Sequence, residues 1–321
     1  MRIRELADTS HDRDGGLIAD MVALQGCFYT GRFCESLEYS AAFLDAYDAS
    51  RHRALADPYS TDLELVGLVH EAIASHVVGR ADRAAALSRR IDEVVRQTDH
   101  PYSVAWARTW GAVPDLLLGD LERAGERVRQ GWRIAEENGY AYVSAMARMV
   151  DGCVRGRSGD PKGVEAITAG LAAFRETASE IVVPFFQTVR AELLVDGQRL
   201  DEALAALEDA RERIARWGER WQEAEVWRVE GRVLAARGDD ASLVEDRYLR
   251  ALKVAREQGA LGWELRAAAD LASHLCEHGR LDEARAALAP VLESAAPGGA
   301  SDDVTRARRV LAAANEQPVV G

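Results

Sequence analysis

Glycine recurs along this chain at nearly fixed intervals, and that spacing limits the fold more than any other feature. It stands in TGRFCES at Gly31, VGRADRA at Gly79, LGDLERA at Gly119, SGDPKGV at Gly159, DGQRLDEA at Gly197, RGDDASLV at Gly238 and HGRLDEA at Gly279. Successive separations are 48, 40, 40, 38, 41 and 41 residues. Each time an apolar, helix-compatible stretch precedes the glycine and a small residue follows it shortly after. A period of this length specifies an array of helix–turn–helix units, each unable to bury its apolar stripe alone. Ala and Leu lead the apolar residues and aromatics are only 7% of the chain, which favours helix over sheet.

Within one unit the glycine supplies a left-handed cap that ends the first helix. An acidic stretch such as Asp282-Glu283 then opens the second helix, where the helix dipole favours negative charge. The small residues Ala84, Ala124, Ala203 and Ala284 let the two helices approach closely. The second helices carry apolar residues one turn apart, as in Ala203, Leu204, Leu207 and Ala210, or Ala284, Ala287, Leu288 and Val291. The expected fold is all-α: a right-handed superhelical solenoid of about seven antiparallel hairpins with a period of roughly 40 residues, closed by a C-terminal capping helix.

The pattern resembles the tetratricopeptide repeat, in the longer form found in the maltose-regulator group of signalling ATPases. Tyr47-Asp48 with Arg51-His52-Arg53-Ala54-Leu55, then His100-Pro101-Tyr102-Ser103, and Gly262-Trp263-Glu264-Leu265-Arg266-Ala267-Ala268 with Gly279-Arg280-Leu281-Asp282-Glu283-Ala284-Arg285, are similar to the C-terminal repeat region of bacterial ATPase/adenylate-cyclase fusion proteins. The resemblance spans about residues 20 to 312. It implies a signalling or transcription-control setting and a repeat region that binds. No GxxxxGK[ST] phosphate loop is present, so the nucleotide chemistry of those proteins does not carry over. Further repeats normally precede this segment in such fusions. A stand-alone relative, a truncated gene product and a piece of a larger signalling ATPase all remain open.

Three segments are expected: a flexible N-terminal stretch over 1–16, the repeat solenoid over 17–296, and a capping helix with its tail over 297–321. The first interval is longer than the others, and the excess lies in a loop from Tyr47 to Leu63. Pro297-Gly298-Gly299 breaks the chain near its end. Ser301 reads as the N-cap of the last helix, with Asp302 and Asp303 in its first turn.

Composition narrows the partners. A formal charge of −13 disfavours direct contact with nucleic acid. The opening MRIRELADTSHDRDGG has no apolar signal region, and no run of apolar residues is long enough for a membrane span. The four cysteines (Cys27, Cys34, Cys153, Cys276) have no CxxC spacing and read as packing residues of a reduced, cytoplasmic protein.

No arrangement of residues specifies catalysis, and no cofactor or metal is expected. His274 and His278 share a helical face, but Cys276 lies ~200° away from His274 around the helix, so they read as helix-end histidines. Arg51, His52 and Arg53 form a candidate anion site; the alternative is that the loop folds back and these side chains satisfy backbone carbonyls. Aligning the units on their glycines places a candidate binding groove along the first helices. Its first half is apolar: Met21, Phe28, Tyr29, Val69, Ile73, Trp106, Val113, Leu117, Met146 and Met149, with Phe185 at the border. Its second half is charged: Glu192, Glu225, Arg228, Arg232, Arg266 and Glu277. Exposed apolar residues in such a concentration would mark binding; a register shifted by one would bury them instead.

The expected function is a non-catalytic scaffold or sensor holding a protein or peptide partner, or a small effector, in that groove. A homo-oligomer is compatible with the same surface. The alternative function is an accessory subunit that presents a substrate to a separate enzyme.

Overall fold

The computed structural model describes residues 13–295, 299 and 301–316. Every regular element among them is helical. The chain divides into two compact units. One holds the described residues through His76 together with Arg83–Glu180; the other holds Val77–Asp82 and the described residues from Ile181 onward.

The hairpins form where the glycines stand. In the first unit α1 (Arg13–Tyr29) and α2 (Phe33–Ala46) pack together across Gly31. α1 starts inside the stretch expected to be flexible; residues 1–12 of that stretch lie outside the described residues. The segment expected as a loop is instead three short turns: α3 (Ala49–His52), a 3-10 turn (Arg53–Leu55) and α4 (Ala56–Tyr59). Asp48 starts them by accepting the Ser50 N–H at 2.9 Å, an N-cap made by a short carboxylate.

α5 (Leu63–Val77) and α6 (Ala81–Val95) run antiparallel, since Arg83 pairs with Glu71 at 2.6 Å and Arg90 with Glu64 at 3.2 Å. The next first helix is broken into α7 (Pro101–Trp110) and α8 (Ala112–Leu118) around Gly111. Pro114 supplies the reason: it has no N–H for the Trp110 carbonyl and its ring crowds that turn. α9 (Leu121–Asn138) returns across Gly119, and α10 (Ala141–Arg157) pairs with α11 (Gly163–Glu176) across Gly159.

The second unit repeats the scheme. α12 (Val183–Asp196) and α13 (Leu200–Trp217), α14 (Glu223–Arg237) and α15 (Ala241–Glu257), and α16 (Leu261–Glu277) and α17 (Leu281–Ala295) form three hairpins. The final helix, α18 (Asp302–Glu316), packs on both α16 and α17. Ser301 caps it as expected, accepting the Val304 N–H at 3.2 Å. The residues after 316 lie outside the described residues.

Six of the seven spaced glycines have φ between 73° and 86°, the left-handed cap their position predicts. Gly197 departs from it. Its φ is −85°, and Gln198 takes the left-handed conformation at 58° instead. The small residues after the turns are fully buried: Ala84, Ala124, Ala203 and Ala284 are all 0% exposed. The core of the second unit joins Leu234, Tyr248, Leu252, Leu265, Leu271 and Leu288, among others. Phe185 and Trp221 stack there with ring centres 5.3 Å apart.

Candidate functional site

The charged residues of the second unit are brought together. They sit one helical turn apart on the first helices of three consecutive hairpins: Glu192 and Asp196 on α12, Glu225, Arg228 and Arg232 on α14, Arg266 and Asp270 on α16. Side chains three or four residues apart share a helical face, so the repeat stacks these pairs beside each other. The capping helix adds Asp303 and Arg306.

Arg228 is the centre. Its Nε donates to Glu225 Oε1 at 2.8 Å, Nη1 to Asp270 Oδ2 at 2.8 Å, and Nη2 to Glu192 Oε1 at 2.6 Å and Glu225 Oε2 at 2.8 Å. Glu192 Oε1 also accepts from Arg232 Nη1 at 3.1 Å and Arg266 Nη2 at 3.2 Å. Arg266 reaches Glu225 at 3.2 Å and Asp303 at 3.8 Å. Arg232 continues outward to Asp196 at 3.1 Å, and Arg306 donates to Asp270. The result is four guanidinium groups and five carboxylates in one connected network.

Exposure grades across it. The side chains of Arg228, Asp270 and Glu225 are 1%, 3% and 5% exposed, whereas those of Arg232, Arg306 and Asp196 reach 28%, 44% and 63%. Burial would lower the Arg228 pKa, but Glu225, Glu192 and Asp270 raise it well above its ordinary value. Burial likewise pushes the Asp270 carboxyl up, yet Arg228, Arg306 and Arg232 hold it below the usual range. A buried ion network of this kind is an expensive way to gain stability, because desolvation offsets most of the attraction. Its outer cations, Arg232 and Arg306, face solvent while still paired with Asp196 and Asp270.

The first unit has its own buried guanidinium, with different surroundings. Arg127 of α9 donates to the carbonyl of Gly111, at the α7–α8 break, at 2.6 Å and to the Ser88 carbonyl. It also pairs with Asp92 at 2.7 Å and Asp115 at 3.1 Å. Two of its partners are backbone carbonyls, so it braces a helix break. Sequence reasoning missed both Arg127 and Asp270. The available signal was a charged residue on an apolar stripe: Arg127 lies between Ala124 and Val128 on the buried side of α9, and Asp270 lies between Ala269 and Leu271.

The apolar half of the expected groove is corrected by burial. Met21, Phe28, Val69, Ile73, Val113, Leu117, Met146, Met149 and Phe185 all belong to the core, none more than 8% exposed. Tyr29 and Trp106 are half-buried; Tyr29 packs edge-on to Phe28, and Trp106 lies against the clusters around Leu24 and Ala105. Closely packed helices turn these side chains inward, the shifted-register outcome. Of the charged half, Glu192, Glu225, Arg228, Arg232 and Arg266 meet, while Glu277 stands exposed at the end of α16.

The candidate anion site is corrected too. Arg51 pairs with Asp14 at 2.8 Å, and the buried His52 lies 3.3 Å from the same carboxylate. His52 Nδ1 accepts the Asp48 N–H at 2.8 Å. Arg53 donates to the Gln97 carbonyl at 3.1 Å and faces Asp62 at 3.5 Å. The three side chains are thus occupied by the chain's own groups. His278 Nδ1 lies 2.8 Å from the His274 carbonyl at the end of α16, and the described residues hold no group of three or more His, Cys, Asp or Glu able to bind a metal ion. No helix among the described residues is long and apolar enough to cross a membrane.

With this geometry in view, known proteins place the fold. The chain is similar to the crystal structure of Rap protein complexed with Competence and Sporulation Factor, with a TM-score of 0.62 over 93% of this chain and 87% of that one, at 12% identity. The fold is a helical tetratricopeptide-like repeat. Yeast Tom70 matches with a TM-score of 0.44 over 98% of this chain and 57% of that one, at 14% identity. In sequence the chain is 24% identical over 242 residues to an uncharacterized protein of Rhizobium meliloti (strain 1021), covering 75% of this chain and 24% of that protein's length. No family model matches.

Proposed function

We propose that this chain is a non-catalytic scaffold that binds a peptide or protein segment across the charged face of α12, α14, α16 and α18, in a bacterial signalling or transcription-control setting. The observation that carries the reading is the graded network around Arg228. Its buried centre is fixed by four hydrogen bonds to three carboxylates. Its rim, at Arg232, Asp196 and Arg306, is open to solvent and can trade an internal partner for one on a ligand. Guanidinium groups suit such exchange because they bind carboxylates in a planar, two-point geometry. The same fold in Rap protein was crystallised with Competence and Sporulation Factor, which supports a binding role for a repeat of this kind.

Selection from a displayed library of random linear peptides tests the proposal. The reading expects saturable, one-to-one binders enriched in charged residues that lose at least tenfold in affinity against Arg232→Ala. A library that yields no saturable binder, or binders indifferent to that substitution, would count against it.

A further inference from the structure

Val182, immediately before α12, has a φ of 66°. A left-handed backbone is unfavourable for a β-branched residue, and Val182 is only 2% exposed. One side chain holds it there. The Val182 N–H donates to both carboxylate oxygens of Glu219, at 3.0 and 3.1 Å. The indole N–H of Trp221 donates to Glu219 Oε1 at 2.8 Å.

Glu219 is itself buried, 7% exposed, just after the left-handed Gly218 that ends α13. None of the described Lys, Arg or His side chains forms an ion pair with it. The charged group that acts on it is Arg213 of α13, whose Nε is already bound to Asp209 at 3.0 Å. The other groups against the carboxylate are the Val182 amide and the Trp221 indole. A carboxylate sealed from water with no cation of its own is penalised for being ionised.

We propose that Glu219 and Val182 form a proton-operated latch on the segment leading into α12. Neutral Glu219 stays in the buried site and keeps the Val182 amide covered. Ionised Glu219 is relieved by leaving for water, and its departure lets the left-handed residue relax. The carboxyl is raised to about 7 by burial, against the lowering effect of the Trp221 and Val182 donors and of Arg213. In the open latch it titrates near its ordinary 4.5. The closed form therefore binds the proton more tightly. Opening becomes more favourable as pH rises from about 4.5 to about 7 and levels off above that. The latch depends on no partner at the charged face, so its test stands apart from the peptide selection.

Two readouts on the whole protein test it by NMR. The first follows the Glu219 carboxyl carbon and the Trp221 indole nitrogen of the unaltered chain from pH 4 to 9. Both should titrate together with a midpoint near 7. The second measures hydrogen exchange of the Val182 amide, corrected for intrinsic base catalysis. The opening constant should rise roughly 100-fold between pH 5 and pH 8, and Glu219→Gln should abolish the rise. A Glu219 midpoint below 5, or an opening constant that stays flat in the unaltered chain, would overturn the latch without any reliance on the variant folding.

Discussion

Met149 shows how a single side chain decides between two readings of the same sequence. Its position on α10 fits either an open groove or the core, because spacing alone gives the face of a helix and not what covers that face. In the structure it is 0% exposed, so Met149→Asp must bury an unpaired carboxylate. We expect destabilisation of roughly 4 kcal/mol, read as a lower midpoint in urea unfolding; an unchanged midpoint would restore the open groove. Arg228 was legible as a functional candidate, though the sequence placed it in a groove and not at 1% exposure in the centre of an ion network. Arg228→Leu leaves Glu225, Asp270 and Glu192 without their shared cation, which should cost about 3–5 kcal/mol at pH 7. The effect has a definite pH sign. Asp270 is held below its ordinary pKa, so its stabilising contribution is complete above the unfolded pKa and disappears as pH falls through the folded value. The stability gap between the unaltered chain and the variant should therefore narrow as pH falls below about 3.8, where Asp270 takes up its proton and its ion pairs are lost. A gap that is constant over that range would contradict the network.

Among the elements, the hairpins were the most legible part of the molecule, because a left-handed glycine marks six of the seven turns and a buried alanine follows four of them. The breaks between elements were less so. The α7–α8 break follows from Pro114, which the glycine pattern does not weigh, and the short turns from Ala49 to Tyr59 were hidden in a stretch whose polar composition suggested a loop. Glycines inside helices show the same contrast. α10 and α11 meet backbone to backbone: a Cβ on Gly163 would lie 2.5 Å from the Gly156 Cα and 2.7 Å from the Gly152 carbonyl oxygen. Neither atom can yield without moving a helix, so Gly163→Ala should destabilise by about 1–3 kcal/mol. Gly26 in α1 has nothing within 4 Å of an added Cβ, so Gly26→Ala should stabilise by about 0.5–1 kcal/mol through helix propensity. Thermal melts of the two variants should shift in opposite directions; shifts of the same sign would refute the close α10–α11 contact as the cause.

For the whole molecule, fold and function differ in how far sequence reaches. Repeat spacing encodes architecture because each unit must bury the same stripe, whereas the charged face is assembled by side chains from helices 40 residues apart, as with Arg232 and Glu192. Their meeting depends on stacking, which no local motif records. The match to the Rhizobium meliloti (strain 1021) protein covers 24% of that protein, and the Rap likeness shows the fold; the binding reading therefore rests on the charged face. The direct measurement is amide hydrogen exchange of the whole chain with and without a saturating peptide chosen from the displayed library. The account predicts added protection confined to α12, α14, α16 and α18, with loss of that protection in Arg232→Ala. Protection that falls on other helices and persists in Arg232→Ala would contradict it.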